Sequence, residues 1–345
     1  MRTIGKITTM CLVLVLAAVQ VFAGGQSDQK TQSAGNGGNG TSGAFPIQIQ
    51  TKHGITTVTK KPQRVVSIGY SDQDTLLALG VVPVAIRDWY GDQPNATWPW
   101  AQSKLGGAKP VVLSSGDLDI EKITALAPDL IVGVDSGMTA KEFALLSKIA
   151  PVLAQPADYV EYGTPWQVKT KLIGQAVGES AKADQLVSAI EERFADVRAK
   201  HPAFKGATAA VAFVYNNLPG AYASQDSRSR FLTAMGFAIP KAYDELAKDS
   251  FYISFSEERM DLLDTSVIVW LASTNEAIEA LKALPLRQKL KAAKEGREIF
   301  LGKLLGGAFS FSSPLSIPYL LDQLVPALDA AVDGKASTPV SLKVQ

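Results

Sequence analysis

Two segments of this chain align without a gap: "EKITALAPDLIV" from Glu121 and "ERMDLLDTSVIV" from Glu258. They share the leading acid, the basic residue after it, an apolar third position, a leucine at 126 and 263, and the closing Ile-Val. "LLALGV" at 76–81 has a looser echo in "LTAMGF" at 232–237. A helix-then-strand pattern recurs by chance in α/β chains, but matched charged positions favour duplication of a half. With 345 residues, 46% hydrophobic and 19% charged, the chain is long enough for two modest domains.

Around the repeats, apolar runs alternate with amphipathic stretches. "PIQIQTKHGITTVTKKP" reads as two short strands turning at His53-Gly54. "RVVSIG" is a buried strand, "SDQDTLLALG" a helix capped by Ser71 and ended by Gly80, and "VVPVAIRD" a further strand. "LIVGV" and "PVLA" continue the strands, with helices between them. Residues 164–201 carry two long helical patterns broken near Gly178, and beyond Pro202 the alternation returns, closing with a helix over 316–333. The expected fold class is therefore α/β: two Rossmann-like lobes with mainly parallel sheets, joined by one long rigid helix. The lobes are expected over 45–178 and 203–345, with the joining helix at 179–202.

At the N-terminus, Arg2 and Lys6 precede the apolar run "MCLVLVLAAVQVFA", and Val21-Phe22-Ala23 fits a signal-peptidase site. Residues 1–23 are read as a cleaved signal, too short in apolar length for a membrane anchor. Residues 24–44, rich in Gly, Ser, Asn and Gln, are a flexible leader. Cys11, the single cysteine, lies inside the signal behind Thr8-Thr9-Met10, so neither lipidation nor a disulfide is expected in the mature protein. Losing two cations from a formal charge of +1 leaves the mature chain close to neutral, which argues against nucleic acid as a partner. A periplasmic monomer is the expected form.

"RDWYGDQPNATWPW", residues 87–100, gathers three of the five tryptophans with a tyrosine and an arginine, without apolar periodicity. It has two readings: a mini-core under a long connection, or a binding surface. His53 and His201 are too few to assemble the imidazole clusters of a zinc or manganese site, so no protein metal site is expected. "GYSDQ" lacks the Gly-x-Ser-x-Gly elbow, and neither histidine lies near a candidate serine, so a hydrolase is the weaker class and no catalytic residue is assigned.

"KPQRVVSIGYSDQDTLLALGVVPVAI", "DIEKITALAPDLIVG" and "GGAFSFSSPLSIPYLLDQLVPAL", in that order, resemble the ABC-transporter substrate-binding proteins with a rigid helical hinge, which take up ferric siderophores, haem and vitamin B12. The likeness is greatest to the iron-siderophore branch and runs over about 45–335. It implies a binding protein without a cofactor, whose ligand is a ferric siderophore and whose partner is an ABC permease dimer. Haem or vitamin B12 is the alternative ligand. An acid at the start of an equivalent helix in each lobe meets the permease in this family, and Glu121 and Glu258 match that pattern. The joining helix implies small lobe movements.

Ligands of open α/β sheets sit beyond the carboxyl ends of the strands. That rule selects Tyr70, then Arg87, Trp89, Tyr90, Trp98 and Trp100, then Tyr215, Asn216 and Asn217, and the loop from Gly306 to Phe311, which contains Phe309. Arg228 and Arg230 add charge from the second lobe. Guanidinium groups are expected to meet the chelate's oxygens while aromatic faces cover its arms.

Overall fold

The computed structural model describes residues 45–333 and 335. The signal and leader readings, and Cys11, lie outside them. A hairpin of β1 (Ile47–Thr51) and β2 (Gly54–Val58) opens the chain, with Ile47 and Ile49 turned inward at alternate positions.

The first lobe follows as β3 (Val65–Ser67), α1 (Asp72–Leu79), β4 (Ala85–Arg87), α2 (Pro99–Gln102), β5 (Val111–Leu113), α3 (Ile120–Ala125), β6 (Leu130–Gly133), α4 (Ala140–Leu146) and β7 (Val152–Ala154). Its sheet has the order β5-β4-β3-β6-β7, all parallel. Both faces are covered: Val65, Leu130 and Val132 pack on one side, Val66, Ile131 and Val152 on the other. Gly80 ends α1 in the left-handed conformation, as expected. Ser71 does not cap it. Its hydroxyl donates instead to Asp135 at 2.7 Å, a side-chain partner that outcompetes the helix end.

Two helices connect the lobes, α5 (Trp166–Ala176) and α6 (Ser180–Lys200), separated at Gly178. Ala183 packs in the first lobe's core, whereas Val187, Ile190 and Phe194 pack among Phe204, Phe231 and Leu320 of the second. One helix thus starts in one core and ends in the other.

The second lobe contains β8 (Ala209–Tyr215), β9 (Leu218–Tyr222), α7 (Ser227–Ala234), α8 (Lys241–Ala247), β10 (Tyr252–Ser254), β11 (Val267–Leu271), α9 (Asn275–Ala283), α10 (Lys291–Lys294), β12 (Glu298–Leu301), α11 (Lys303–Phe311) and α12 (Ser316–Val332). The sheet order is β10-β9-β8-β11-β12. Its β8, β11 and β12 are parallel, but β9 returns antiparallel on β8 and β10 antiparallel on β9, so half of this sheet departs from the expected parallel pattern. The cause is local: Asn216 and Asn217 adopt positive φ (49° and 61°) and turn the chain straight back as a hairpin.

The internal repeat superposes in topology. Its first copy runs into β6 and its second into β11, the strands paired with β3 and β8. The copies differ in winding, since Glu121 lies in an α-helix capped by Asp119, and Glu258 in a 3-10 turn over Glu257–Leu263.

Candidate functional site: a cleft between the lobes

A cavity of about 240 Å³ opens where the two lobes face each other. Tyr70, Trp89 and Asp135 enter it from the carboxyl ends of β3, β4 and β6, as open parallel sheets require. Tyr162 comes from the segment ahead of α5, while Asp226, Ser227, Arg228, Phe251 and Ser310 face it from the second lobe. The aromatic rings form a chain. Trp89 stacks on Tyr70 at 5.5 Å, Tyr70 on Tyr162 at 6.3 Å, and Tyr162 meets Phe251 edge-on at 6.0 Å.

Arg228 is the guanidinium at this cavity. It rests 4.2 Å above the Tyr222 ring, donates from Nη1 to Asp226 at 2.8 Å and from Nε to Ser310 at 3.2 Å. Asp226 also accepts from the Arg228 backbone N–H, capping α7. Burial works against the Arg228 charge, but Asp226, Tyr222 and Tyr90 outweigh it and hold the group firmly protonated. Burial raises the Asp226 carboxyl, and Arg228 pulls it back.

Several expected ligand residues are placed elsewhere. Arg87 is 7% exposed, and its guanidinium donates to the carbonyls of Ser115, Gly116, Ile68 and Ser136 while lying 4.5 Å from the Tyr70 ring. It braces the loops and carries Tyr70, because the strand end that exposes its backbone turns its side chain under the neighbouring loops. Trp98 is 1% exposed, stacked on Trp100 at 5.0 Å and flanked by Tyr90 and Phe311. A Cβ on Gly91 or Gly307 would stand 2.5 or 2.6 Å from its ring, so these glycines let the backbones of both lobes close on the indole.

The loop therefore divides: Trp89 faces the cleft, and Tyr90 and Trp98 form a core that joins the lobes. Trp100 donates from its indole to Asp74 at 2.7 Å. The segment from Gly306 is helix rather than loop, since packing of its apolar face buries Phe309 and Phe311 and overrides its glycines. Tyr215, 70% exposed, and Asn216 sit on the hairpin turn away from the cavity; Asn217 lines a separate apolar groove beside α9. The antiparallel return of β9 carried all three off the expected path. Arg230 donates to the Gly163 carbonyl and so ties α7 to the segment before α5.

Asp135, Tyr162, Asp226, Ser227 and Phe251 were not anticipated, whereas Ser310 falls within the selected segment 306–311. Asp226, in "SQDSRSRF", had a legible signal as an acid just ahead of a helix.

Behind the cleft lies a buried polar cluster. Lys169 on α5 donates to Ser71 at 2.5 Å and pairs with Asp135 at 3.2 Å. Burial opposes its charge, yet Asp135 and Asp72 raise its pKa overall. Asp72, fully buried, is pushed up to about 7 by desolvation, with Lys169 opposing. Asp74 is pushed up to about 6 by burial, against its bonds from Ser313 (2.6 Å) and Trp100. The Asp74–Ser313 bond spans the lobes.

The Asp72 shift has a pH consequence. A carboxyl that titrates near 7 when folded but near 3.9 when unfolded keeps a proton the unfolded chain gives up, so its contribution to stability declines as pH rises from about 4 to about 7. Asp72→Asn is expected to remove that decline. In thermal melts across pH, the variant's gain over the parent starts near zero at about pH 4 and is largest above about pH 7; a constant difference would show that Asp72 does not titrate in this window.

Two α/β lobes joined by a long helix, with a cleft at their strand ends, define a bilobal binding protein rather than a single-domain nucleotide fold. Residues 65–304 match the periplasmic binding protein family, and the chain belongs to it. A periplasmic solute binding protein from Mycobacterium smegmatis is 37% identical with a TM-score of 0.75, covering 83% of this chain and 98% of that one. Streptococcus pneumoniae PiaA, solved in complex with ferrichrome, is 28% identical with a TM-score of 0.72, covering 84% and 99%. The Fe(3+) dicitrate-binding periplasmic protein FecB of Escherichia coli is 29% identical over 201 residues, 58% of this chain and 64% of that protein. Further relatives from Bacillus subtilis are named as lipoproteins.

Proposed function

We propose that this protein captures a ferric siderophore in the interlobe cleft, outside the cytoplasm, and delivers it to an ABC permease dimer. The observation that carries this reading is the cleft itself: a chain of aromatic faces drawn from both lobes, with one guanidinium, Arg228, at its edge. Such a lining suits a chelate whose iron is already wrapped in oxygen donors. The rings cover its apolar arms, and Arg228 meets an outward oxygen. Tyr70, Trp89, Tyr162, Phe251 and Arg228 are the ligand-binding residues of this reading, with Arg87 positioning Tyr70. The protein acts as a monomer and catalyses no reaction. Residues 1–23 direct export and are then removed, with Cys11 leaving in the signal and no lipid attached.

Glu121 and Glu258 are the docking acids. Both are exposed, and neither forms an ion pair among the described residues. Arg259, which follows Glu258, turns to Asp261 instead.

The test is a fluorescence titration of the mature protein with ferric siderophores, haem and cobalamin. Arg228→Ala is expected to weaken siderophore binding by about tenfold to a hundredfold, the loss of one charge-assisted bond of about 1.5–3 kcal/mol. Binding of haem or cobalamin in place of every ferric chelate would overturn the siderophore reading.

A further inference from the structure

Ser310 stands at the joint between the lobes. It lies on α11, where Gly307, Ser310 and Phe311 are spaced three and four residues apart and so share one face of the helix. That face meets the aromatic loop of the first lobe. The Trp98 indole lies against Gly307, and the Phe311 ring packs 5.6 Å from Trp89, 5.9 Å from Trp98 and 5.6 Å from Trp100. With Phe309 buried in the second lobe's core, α11 is clamped from both sides, and Ser310 is a fixed point at the cleft. Its hydroxyl accepts from the Arg228 Nε at 3.2 Å. It also bonds the Tyr90 hydroxyl, whose pKa burial raises against that bond and the nearby Arg228.

The Arg228 guanidinium has a competing partner. Asp226 accepts from Nη1 on one carboxylate oxygen and from the Arg228 backbone N–H on the other. Arginine and carboxylate favour pairing through two parallel N–H donors, so a guanidinium free to turn would give Asp226 its second terminal nitrogen as well. Ser310 opposes that turn by holding Nε, and the Tyr222 ring supports the guanidinium plane from 4.2 Å. Nη2 is left without a hydrogen-bond partner among the described residues, on a side chain that lines the cleft.

We propose, on the siderophore reading of the cleft, that Ser310 is a positioning residue: it keeps the Arg228 guanidinium out of a two-nitrogen pair with Asp226, so that Nη2 stays free to bond the ligand.

The experiment is a double-mutant cycle over Ser310→Ala and Arg228→Ala, read by tryptophan-fluorescence titration with ferrichrome and ferric dicitrate alongside thermal melts. Ser310→Ala is expected to weaken binding of the chelate that the parent holds by about fivefold to tenfold, with a melting temperature within about 3 °C of the parent. Where Arg228 is already alanine, the same change is expected to alter affinity by less than about twofold, because the group through which Ser310 acts is gone. Equal losses with and without Arg228 would place Ser310 directly on the ligand and overturn the proposal, as would parent affinity in Ser310→Ala. Should the parent bind haem or cobalamin in place of every ferric chelate, the siderophore reading falls, and the same cycle titrated with that ligand decides the role of Ser310 by the same two outcomes.

Discussion

Reversing both proposed docking acids, Glu121→Arg with Glu258→Arg, is expected to lower siderophore uptake by at least about tenfold in vesicles or cells carrying the partner permease, and to leave ligand affinity unchanged. The two acids precede β6 and β11 by the same spacing in a duplicated pattern, so each lobe presents one of them at an equivalent place. A permease with two-fold symmetry would meet them as a matched pair. Exposed ion pairs contribute only about 0.2–1 kcal/mol, whereas close charge pairs desolvated at an interface couple by about 1.5–7 kcal/mol. Reversal replaces two attractions by two repulsions, which is why the effect exceeds that of alanine. The cleft is built from other residues, so a titration on the same variant separates delivery from capture. Normal uptake by the well-expressed double variant would return both acids to the role of residues that favour a helix start.

Within the aromatic loop, Trp98→Ala and Trp89→Ala are expected to fail in opposite ways. Trp98 is buried between Trp100, Tyr90 and Phe311, with the two glycines pressed against its ring. Its removal opens a cavity where first-lobe loop, α11 and α12 meet, and the cost for a buried tryptophan is about 3–5 kcal/mol. For a chain of this size that corresponds to a fall in melting temperature on the order of 5–8 °C. Trp89 is half-buried and lines the cleft, so its removal leaves the melt within about 2 °C and weakens ligand binding by about tenfold. A thermal melt and a titration on each variant read both. A collapsed melt for Trp89→Ala with unchanged affinity would assign the whole loop to the core.

The same contact bears on motion. Trp98 and Trp100 against α11 and α12, with the Asp74–Ser313 bond, join the lobes at a second place besides α6. Two attachments restrict hinge bending more than one helix does, which supports small lobe movements on ligand capture.

Local pattern was enough for the elements and their order. Buried strands such as Leu130–Gly133 and Val267–Leu271 are runs of adjacent apolar residues, the mark of a parallel sheet covered on both faces, and Gly80 and Gly178 stand where helices stop. The repeat, the joining helix and the rule that ligands sit at strand ends led to Tyr70 and Trp89, because these depend on position along the chain. Side-chain direction was decided only by the tertiary structure. Arg87 leaves the same strand end as Trp89 yet turns under Tyr70, because the backbone carbonyls of Ile68, Ser115, Gly116 and Ser136, from three segments, converge there. Tyr215 was carried away by the antiparallel return of β9, a pairing between residues adjacent in sequence that the parallel rule does not cover. Asp135, Tyr162, Phe251 and Ser310 come from four separate segments, and their meeting in one cleft follows from long-range packing of two lobes, which no local pattern encodes.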